Sequence, residues 1–204
     1  MTDNSYTPAE ASAIAKLPLK AVQKVLDSRL IRPRRSRQGN RILRLLSAQH
    51  LIYLRLEAEG VRLLPVAARR EVARAIEASP NAAMLSISGG PALVVRVERA
   101  RKEVGRELKR LRKAQVMAVS SSEVMRGTPV YRGTRIPIDL VATMLAQGAS
   151  VEEVLEGYPA LNRELIELAP LYVAAFPRRG RPARRPWAKQ KPARVARYQR
   201  AAKA

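Results

Sequence analysis

Apolar residues recur at helical spacing through most of the chain, interrupted by short basic or alternating runs, and this rhythm predicts a mainly α protein with small β elements. Thr7, Pro8 and Glu10 combine a capping residue, a proline at the first helical position and a carboxylate that can close a capping box, so a helix runs to about Ala15. After a break at Lys16, Leu17 and Pro18, a second helix to about Asp27 turns Leu19, Val22 and Leu26 inward. Lys20, Gln23 and Lys24 are left to solvent. From Leu30 to Leu46, two short apolar runs flank a turn at Gly39 and Asn40, which reads as a β-wing with a basic tip. Ser47 caps a further helix from about Ala48 to Glu59, whose Leu51, Tyr53 and Leu54 cover the first two helices, and Gly60 ends it.

Pro65 opens a helix over Val66 to Ala78, with Val72 and Ile76 inward and Arg69, Arg70 and Arg74 outward. Met84 to Val97 places two strand-like runs around a Gly-Gly turn. A lone hairpin needs a partner surface, either the head or a second copy of the chain. Glu98 to about Met117 is a charged helix with a thin stripe of Val104, Leu108 and Leu111, a connector to the C-terminal part of the chain.

The stretch from Arg126 to Pro137 is the most tightly specified in the chain. Two Arg-Gly-Thr units, starting at Arg126 and Arg132, bracket Pro129, Val130 and Tyr131, and Gly127 and Gly133 each supply a turn. Pro137 fits the first position of a helix and Asp139 its first turn. That helix, Ile138 to Gln147, carries Val141, Met144 and Leu145 on one side and stops at Gly148. Ser150 and Glu153 form a capping box for a short second helix ending near Gly157. Asn162 caps a third, Arg163 to Ala175, with Leu165, Leu168, Leu171 and Tyr172 at helical spacing. Three short helices with tight turns suggest a homeodomain-like unit.

Taken as a set, Arg126, Gly127, Tyr131, Arg132, Gly133, Thr134, Arg135 and Pro137, followed by the helix, the Gln-Gly-Ala-Ser-Val-Glu-Glu-Val-Leu run and the closing basic segment, resemble one family. It is the domain of unknown function 433, found in VapB-type antitoxins, and the resemblance covers about residues 119 to 182. It implies a small helical domain that pairs with a PIN-like ribonuclease toxin. The head carries a second resemblance: Arg-Leu-Ile-Arg-Pro-Arg and Gly-Asn-Arg-Ile-Leu-Arg, in the order helix, turn, helix, wing, helix, are similar to the DNA-binding head of MerR-like regulators. It departs from that pattern in lacking an Arg-Tyr-Tyr cluster and a long antiparallel coiled coil.

A formal charge of +22 calls for a polyanionic partner, nucleic acid or an acidic protein surface. Its distribution matters more than its size. Residues 1 to 80 hold 15 basic residues against 7 acids, and residues 81 to 120 hold 9 against 3. Residues 121 to 175 reverse the sign with 4 against 7, and residues 176 to 204 hold 11 and no acid. In the head, Lys20, Gln23 and Lys24 are placed to read a major groove, while Arg34, Arg35, Arg37 and Arg41 would grip phosphates.

Without cysteine there is no disulfide framework and no thiol nucleophile, and His50 alone makes no metal cluster, so neither metal nor cofactor is expected. The acids Glu152, Glu153 and Glu156 read as a solvated helix face. The start of the chain has no signal-peptide pattern and no run reaches a membrane span, so a cytoplasmic protein is expected, with no membrane partner.

After Pro177 the chain is too rich in Pro and Arg to bury a core. Two functional readings are open for it. Arg179-Gly-Arg-Pro182 suits an AT-hook-like insertion into a minor groove. Alternatively the resemblance implies contact with a PIN-like toxin, whose magnesium-binding carboxylates would be met by Arg178, Arg179, Arg181, Arg184 or Arg185, with Trp187 as apolar anchor.

The expected organisation is thus a winged helix-turn-helix over 1–80, a hairpin and connector helix over 81–118, a trihelical domain over 119–176 and a basic tail over 177–204. The expected function is that of a type II antitoxin, not an enzyme, which binds operator DNA and a PIN-like ribonuclease toxin as a homo-oligomer or toxin–antitoxin hetero-oligomer. A free-standing regulator that uses head and tail on DNA is the alternative.

Overall fold

The computed structural model describes residues 5–39, 41–87, 93–121 and 127–177, the side chain of Arg41 excepted. Among them the chain is mainly helical, with three small antiparallel strand pairs. Helices α1 (Pro8–Ala15) and α2 (Leu19–Asp27) come first, then the hairpin β1 (Arg34–Gln38) and β2 (Arg41–Leu45), then α3 (Ala48–Glu59). A 3-10 turn, Val61–Leu63, leads into α4 (Val66–Ala78), a second hairpin of β3 (Met84–Ile87) and β4 (Leu93–Arg96), and the long α5 (Glu98–Met117). The C-terminal unit holds β5 (Ala118–Val119), β6 (Val130–Tyr131), α6 (Ile138–Ala146), α7 (Val151–Gly157) and α8 (Arg163–Ala175).

Helix starts follow their caps. Thr7 and Glu10 form the reciprocal capping box at α1, with the Thr7 N–H donating to the Glu10 carboxylate at 2.7 Å. Ser150 and Glu153 do the same at α7, and the Asn162 side chain accepts from Leu165 N–H at 2.9 Å at α8. Pro137 stands one place outside the helix it was expected to begin: it is held extended by a bridge to Val130, and α6 starts at Ile138.

The α3 cap uses an unexpected partner. Ser47 N–H donates to His50 Nδ1 at 3.1 Å, and His50 Nε2 donates to Glu77 on α4 at 3.1 Å. Burial holds the His50 pKa below its ordinary value of 6.5, against the pull of Glu77. The folded state therefore binds fewer protons than the unfolded one, so this contribution is present above pH 6.5 and is lost as pH falls through the folded pKa. The urea midpoint should fall as pH drops below that value, and His50→Gln should flatten the slope; an unchanged slope would assign it to carboxylates instead.

Two hydrophobic cores form. The first gathers α1 to α4, the β3–β4 hairpin and most of α5, and it includes Leu51, Tyr53, Leu54, Val72, Ile76, Leu85 and Ile87. The second hairpin therefore packs on the head, as one of its two expected partners. The second core gathers the end of α5 with Tyr131, Ile138, Val141, Val154, Leu161 and Ile166. Helix α8 joins the two: Ile166, Leu168 and Ala169 lie in the second core, whereas Ala175 is buried in the first. Because α8 is packed from several sides, its buried set differs from the expected stripe, and Leu165, Leu171 and Tyr172 are only half-buried. It also tolerates Pro170 in its interior, which removes one backbone bond at a cost of about 3 kcal/mol, offset by burial on both cores.

Other polar positions were not foreseen. Arg69 does not point outward but pairs with the buried Glu57 through two bonds of 2.9 Å. Glu107, on the buried side of α5, faces Lys16 at 3.5 Å and Arg110 at 3.1 Å, tying the end of α1 to α5. On α5 the buried positions are Ala100, Val104, Glu107, Leu111, Ala114 and Met117, a wider stripe than Val104, Leu108 and Leu111.

Candidate nucleic-acid interface

Helix α2 buries Val22, Val25 and Leu26, and this leaves Lys20, Gln23 and Lys24 together on the exposed side. Leu19 was expected to join the buried side. It is 38% exposed instead, at the first residue of the helix.

The β1–β2 hairpin pairs Arg34 with Leu45, Arg35 with Arg44, Ser36 with Leu43, Arg37 with Ile42 and Gln38 with Arg41. Directly paired residues share a face. Leu43 and Leu45 are half-buried with Ser36, so the register puts Arg35, Arg37, Ile42 and Arg44 on the outer face, where Ile42 is 68% exposed. Arg34 belongs to the other face of the register and takes part in an interaction of its own, although its side chain is exposed. Arg37 Nε donates to the Gly39 carbonyl at 3.2 Å, an exposed local bond. Gly39 is at φ 59°, where a side chain would be strained.

Hairpin and helix are fastened to each other. Arg44 Nη1 lies 2.6 Å from Asp27 Oδ1 at the end of α2. Beside this pair is an open groove of about 830 Å³, walled by Leu19, Gln23 and Asp27 of α2, by Ile42 of β2, and by Phe176 and Pro177 after α8. Lys20, Gln23, Lys24, Arg35 and Arg37 are therefore held on neighbouring elements, whereas the Arg41 side chain lies outside the described residues.

The Arg-Gly-Thr segment proves to be internal joinery. Gly127 and Gly133 take φ values of 76° and 75°. Arg132 closes the end of α5: its N–H donates to the Met117 carbonyl at 2.7 Å and its Nε to the Val116 carbonyl at 3.0 Å, a cation on carbonyls that have no helical partner. Thr134 Oγ1 donates to the Tyr131 carbonyl at 2.9 Å and accepts from Ile136 N–H at 3.1 Å, which fixes the tight turn. Strand β6, which leads into this turn, pairs with β5, Ala118 with Tyr131 and Val119 with Val130, and this pair was not expected from the sequence. Tyr131 is 1% exposed, its hydroxyl has no hydrogen-bond partner, and burial pushes that hydroxyl above its ordinary pKa. Arg135 is exposed, and Arg126 lies outside the described residues.

Next to this segment, Val116, Leu165 and Leu168 floor a second groove of about 530 Å³ between α5 and α8, with Arg112, Lys113, Arg132 and Glu164 on its rim. Val116 is 67% exposed there. Two acids of α7 serve the fold, since Glu152 pairs with Arg163 and Glu153 caps, and Glu156 is exposed. The tail residues Arg178, Arg179, Arg181, Arg184, Arg185 and Trp187 all lie outside the described residues. No helix among the described residues is long and apolar enough to cross a membrane.

A family model described as "Protein of unknown function (DUF433)" matches residues 118–173, from β5 into α8, and leaves the head outside the match. An uncharacterized protein of Sinorhizobium fredii, y4eO, is 48% identical over 68 residues, which are 33% of this chain and 31% of that protein. The match therefore spans about a third of that relative's length. No solved structure matches the chain.

Proposed function

We propose that the protein is the antitoxin of a type II toxin–antitoxin pair, whose MerR-like winged helix-turn-helix head binds DNA at its own operon and whose homeodomain-like helical unit meets a PIN-like ribonuclease. The observation that carries the DNA half is the grouping of Lys20, Gln23 and Lys24 on the open side of α2, next to an outward row of arginines on the hairpin. A helix presented in this way enters a major groove, while the hairpin lies along the adjoining backbone. Specificity would come from Gln23 and the two lysines, and the register from Arg35 and Arg37.

Two points support the toxin half. The charge of the helical unit, 4 basic residues against 7 acids over residues 121 to 175, makes it a poor surface for nucleic acid. The groove over Val116, Leu165 and Leu168, with basic residues on its rim, suits an acidic protein surface with an apolar centre. The protein itself is not proposed to catalyse a reaction, and both partners would be met in the cytoplasm. A free-standing DNA regulator is the second reading, favoured by the end of α8 at the head groove.

The deciding experiment is a pull-down with the full chain from nuclease-treated lysate of the source cells, washed at high salt. Recovery of a small protein whose RNA cleavage is blocked by added chain is the expected result. If no protein is retained under these conditions, and a parallel pull-down without nuclease or high salt holds nucleic acid alone, the antitoxin reading falls and the regulator reading stands.

A further inference from the structure

Four arginines from two separate parts of the head line one open groove of about 580 Å³. Arg29 and Arg32 come from the connection between α2 and β1, Arg70 and Arg74 from α4. All four are exposed, and among the described residues none of them has an ion pair. Other arginines of the head do: Arg44 holds Asp27, Arg55 holds Glu59 and Arg69 holds Glu57. The carboxylate that lines the groove, Glu77, is engaged by His50 at 3.1 Å.

The connection after α2 is built to hold its two arginines in place. Leu30 N–H donates to the Val25 carbonyl at 3.3 Å and Arg29 N–H to the Leu26 carbonyl at 3.2 Å, and Val25 and Leu30 are both buried. Arg29 takes the left-handed position of this closure, at φ 55°, where glycine is the usual residue. Lys16 has the same conformation after α1, and there the cation faces the buried Glu107. No carboxylate accounts for Arg29. On α4, Arg70 and Arg74 are one turn apart, so two like charges share a face. Leu30, Ile31 and Ala73 are buried beneath, and charge of one sign around an apolar floor concentrates the positive potential.

We propose that this groove is a seat for phosphate oxyanions, held by Arg29 and Arg32 on one side and Arg70 and Arg74 on the other. A guanidinium offers paired N–H donors that match two phosphate oxygens and keeps its charge at any working pH. Arg29 lies two residues beyond α2 and Arg32 two residues before β1, within about 8 Å of chain from both elements that face DNA. The backbone of a bound duplex is therefore the source of phosphate nearest at hand, and a free phosphorylated small molecule carries the same group. The duplex source rests on the DNA-binding reading of the head, whereas the seat itself does not.

The test removes only the α4 half, so that α2 and the hairpin stay intact. Arg70→Gln/Arg74→Gln is compared in the full chain with Arg106→Gln/Lys109→Gln, an equal change of charge on the exposed side of α5. A fluorescent duplex selected from a random pool by the full chain is titrated over a range of salt concentrations. Thermal unfolding is followed with pyrophosphate against sodium chloride at matched ionic strength. The α4 variant should bind the duplex about tenfold more weakly, with a salt slope lower by about two, and should lose the stabilisation that pyrophosphate gives the unaltered chain. The α5 variant should keep both.

A lower slope in the α4 variant alone assigns the seat to the duplex. An unchanged slope with the pyrophosphate response lost makes a free phosphorylated molecule the source and leaves the seat standing. If no duplex is selected, the DNA reading of the head falls and the pyrophosphate response alone decides the seat. Equal losses in the two variants would overturn it, as the mark of net charge, and so would an α4 variant that keeps both slope and response.

Discussion

Replacing Glu57 by leucine is expected to destabilise the protein by about 3–5 kcal/mol, the largest single loss from any charged residue in the head. Glu57 is 2% exposed, yet it sits on α3 between two donors. Tyr53 donates its hydroxyl to Glu57 from the previous turn, and Arg69 on α4 donates Nε and Nη2 at 2.9 Å each. Burial, and then the Glu57 carboxylate, push the Tyr53 hydroxyl above its ordinary pKa, so it remains a donor. Without the carboxylate, a guanidinium and a hydroxyl are left largely out of water with no acceptor.

Against a typical total of about 5–15 kcal/mol, such a loss approaches global unfolding. Urea denaturation measures it, with Glu152→Gln as the reference. Glu152 and Arg163 also form an ion pair, but both are exposed, so solvent screens the attraction and its loss should barely move the midpoint. Combining Glu57→Leu with Arg69→Met should recover much of the stability, because an apolar pair can replace a buried ionic one. Equal losses for the Glu57 and Glu152 variants would mean that the buried pair has no special role.

Arg35→Ala/Arg37→Ala should leave stability unchanged and weaken binding to every DNA sequence by roughly tenfold or more, with the salt slope reduced by about two. Both side chains are exposed on the outer face of the hairpin, where Arg35 is paired with Arg44 and Arg37 with Ile42. Gln23→Ala, on α2, should instead narrow the difference between preferred and random duplexes while the salt slope stays constant, because a neutral amide releases no counterion. Anisotropy titrations on both duplexes separate the two behaviours. A hairpin variant that binds as tightly as the unaltered chain would show that the arginine row is merely solvated. Arg34 is a poorer probe, since it lies on the other face of the register and already takes part in an interaction.

What the residues alone determined is whatever depends on near neighbours. Thr7 with Glu10, Ser150 with Glu153, and Asn162 set helix starts through bonds spanning three residues, and the structure repeats each of them. Gly127, Gly133 and Gly148 mark turns because positive φ is a property of single residues. The alternation of basic and acidic segments is likewise a matter of counting.

Only the tertiary structure decided which side chains meet across the chain. Arg69 turns inward because α4 lies over Glu57, twelve residues away, and no spacing rule within one helix announces this. His50 becomes both a cap and a partner of Glu77, and Arg132 closes α5, for the same reason. Strands β5 and β6 are two residues each, too short to leave a periodic signal, and exist because the two ends of the segment are brought together by the second core. The direction of α8 has the same origin. Its apolar positions serve two cores at once, so periodicity gives a helix but not its destination, and the burial of Ala175 in the head is what brings Phe176 and Pro177 to the α2 face.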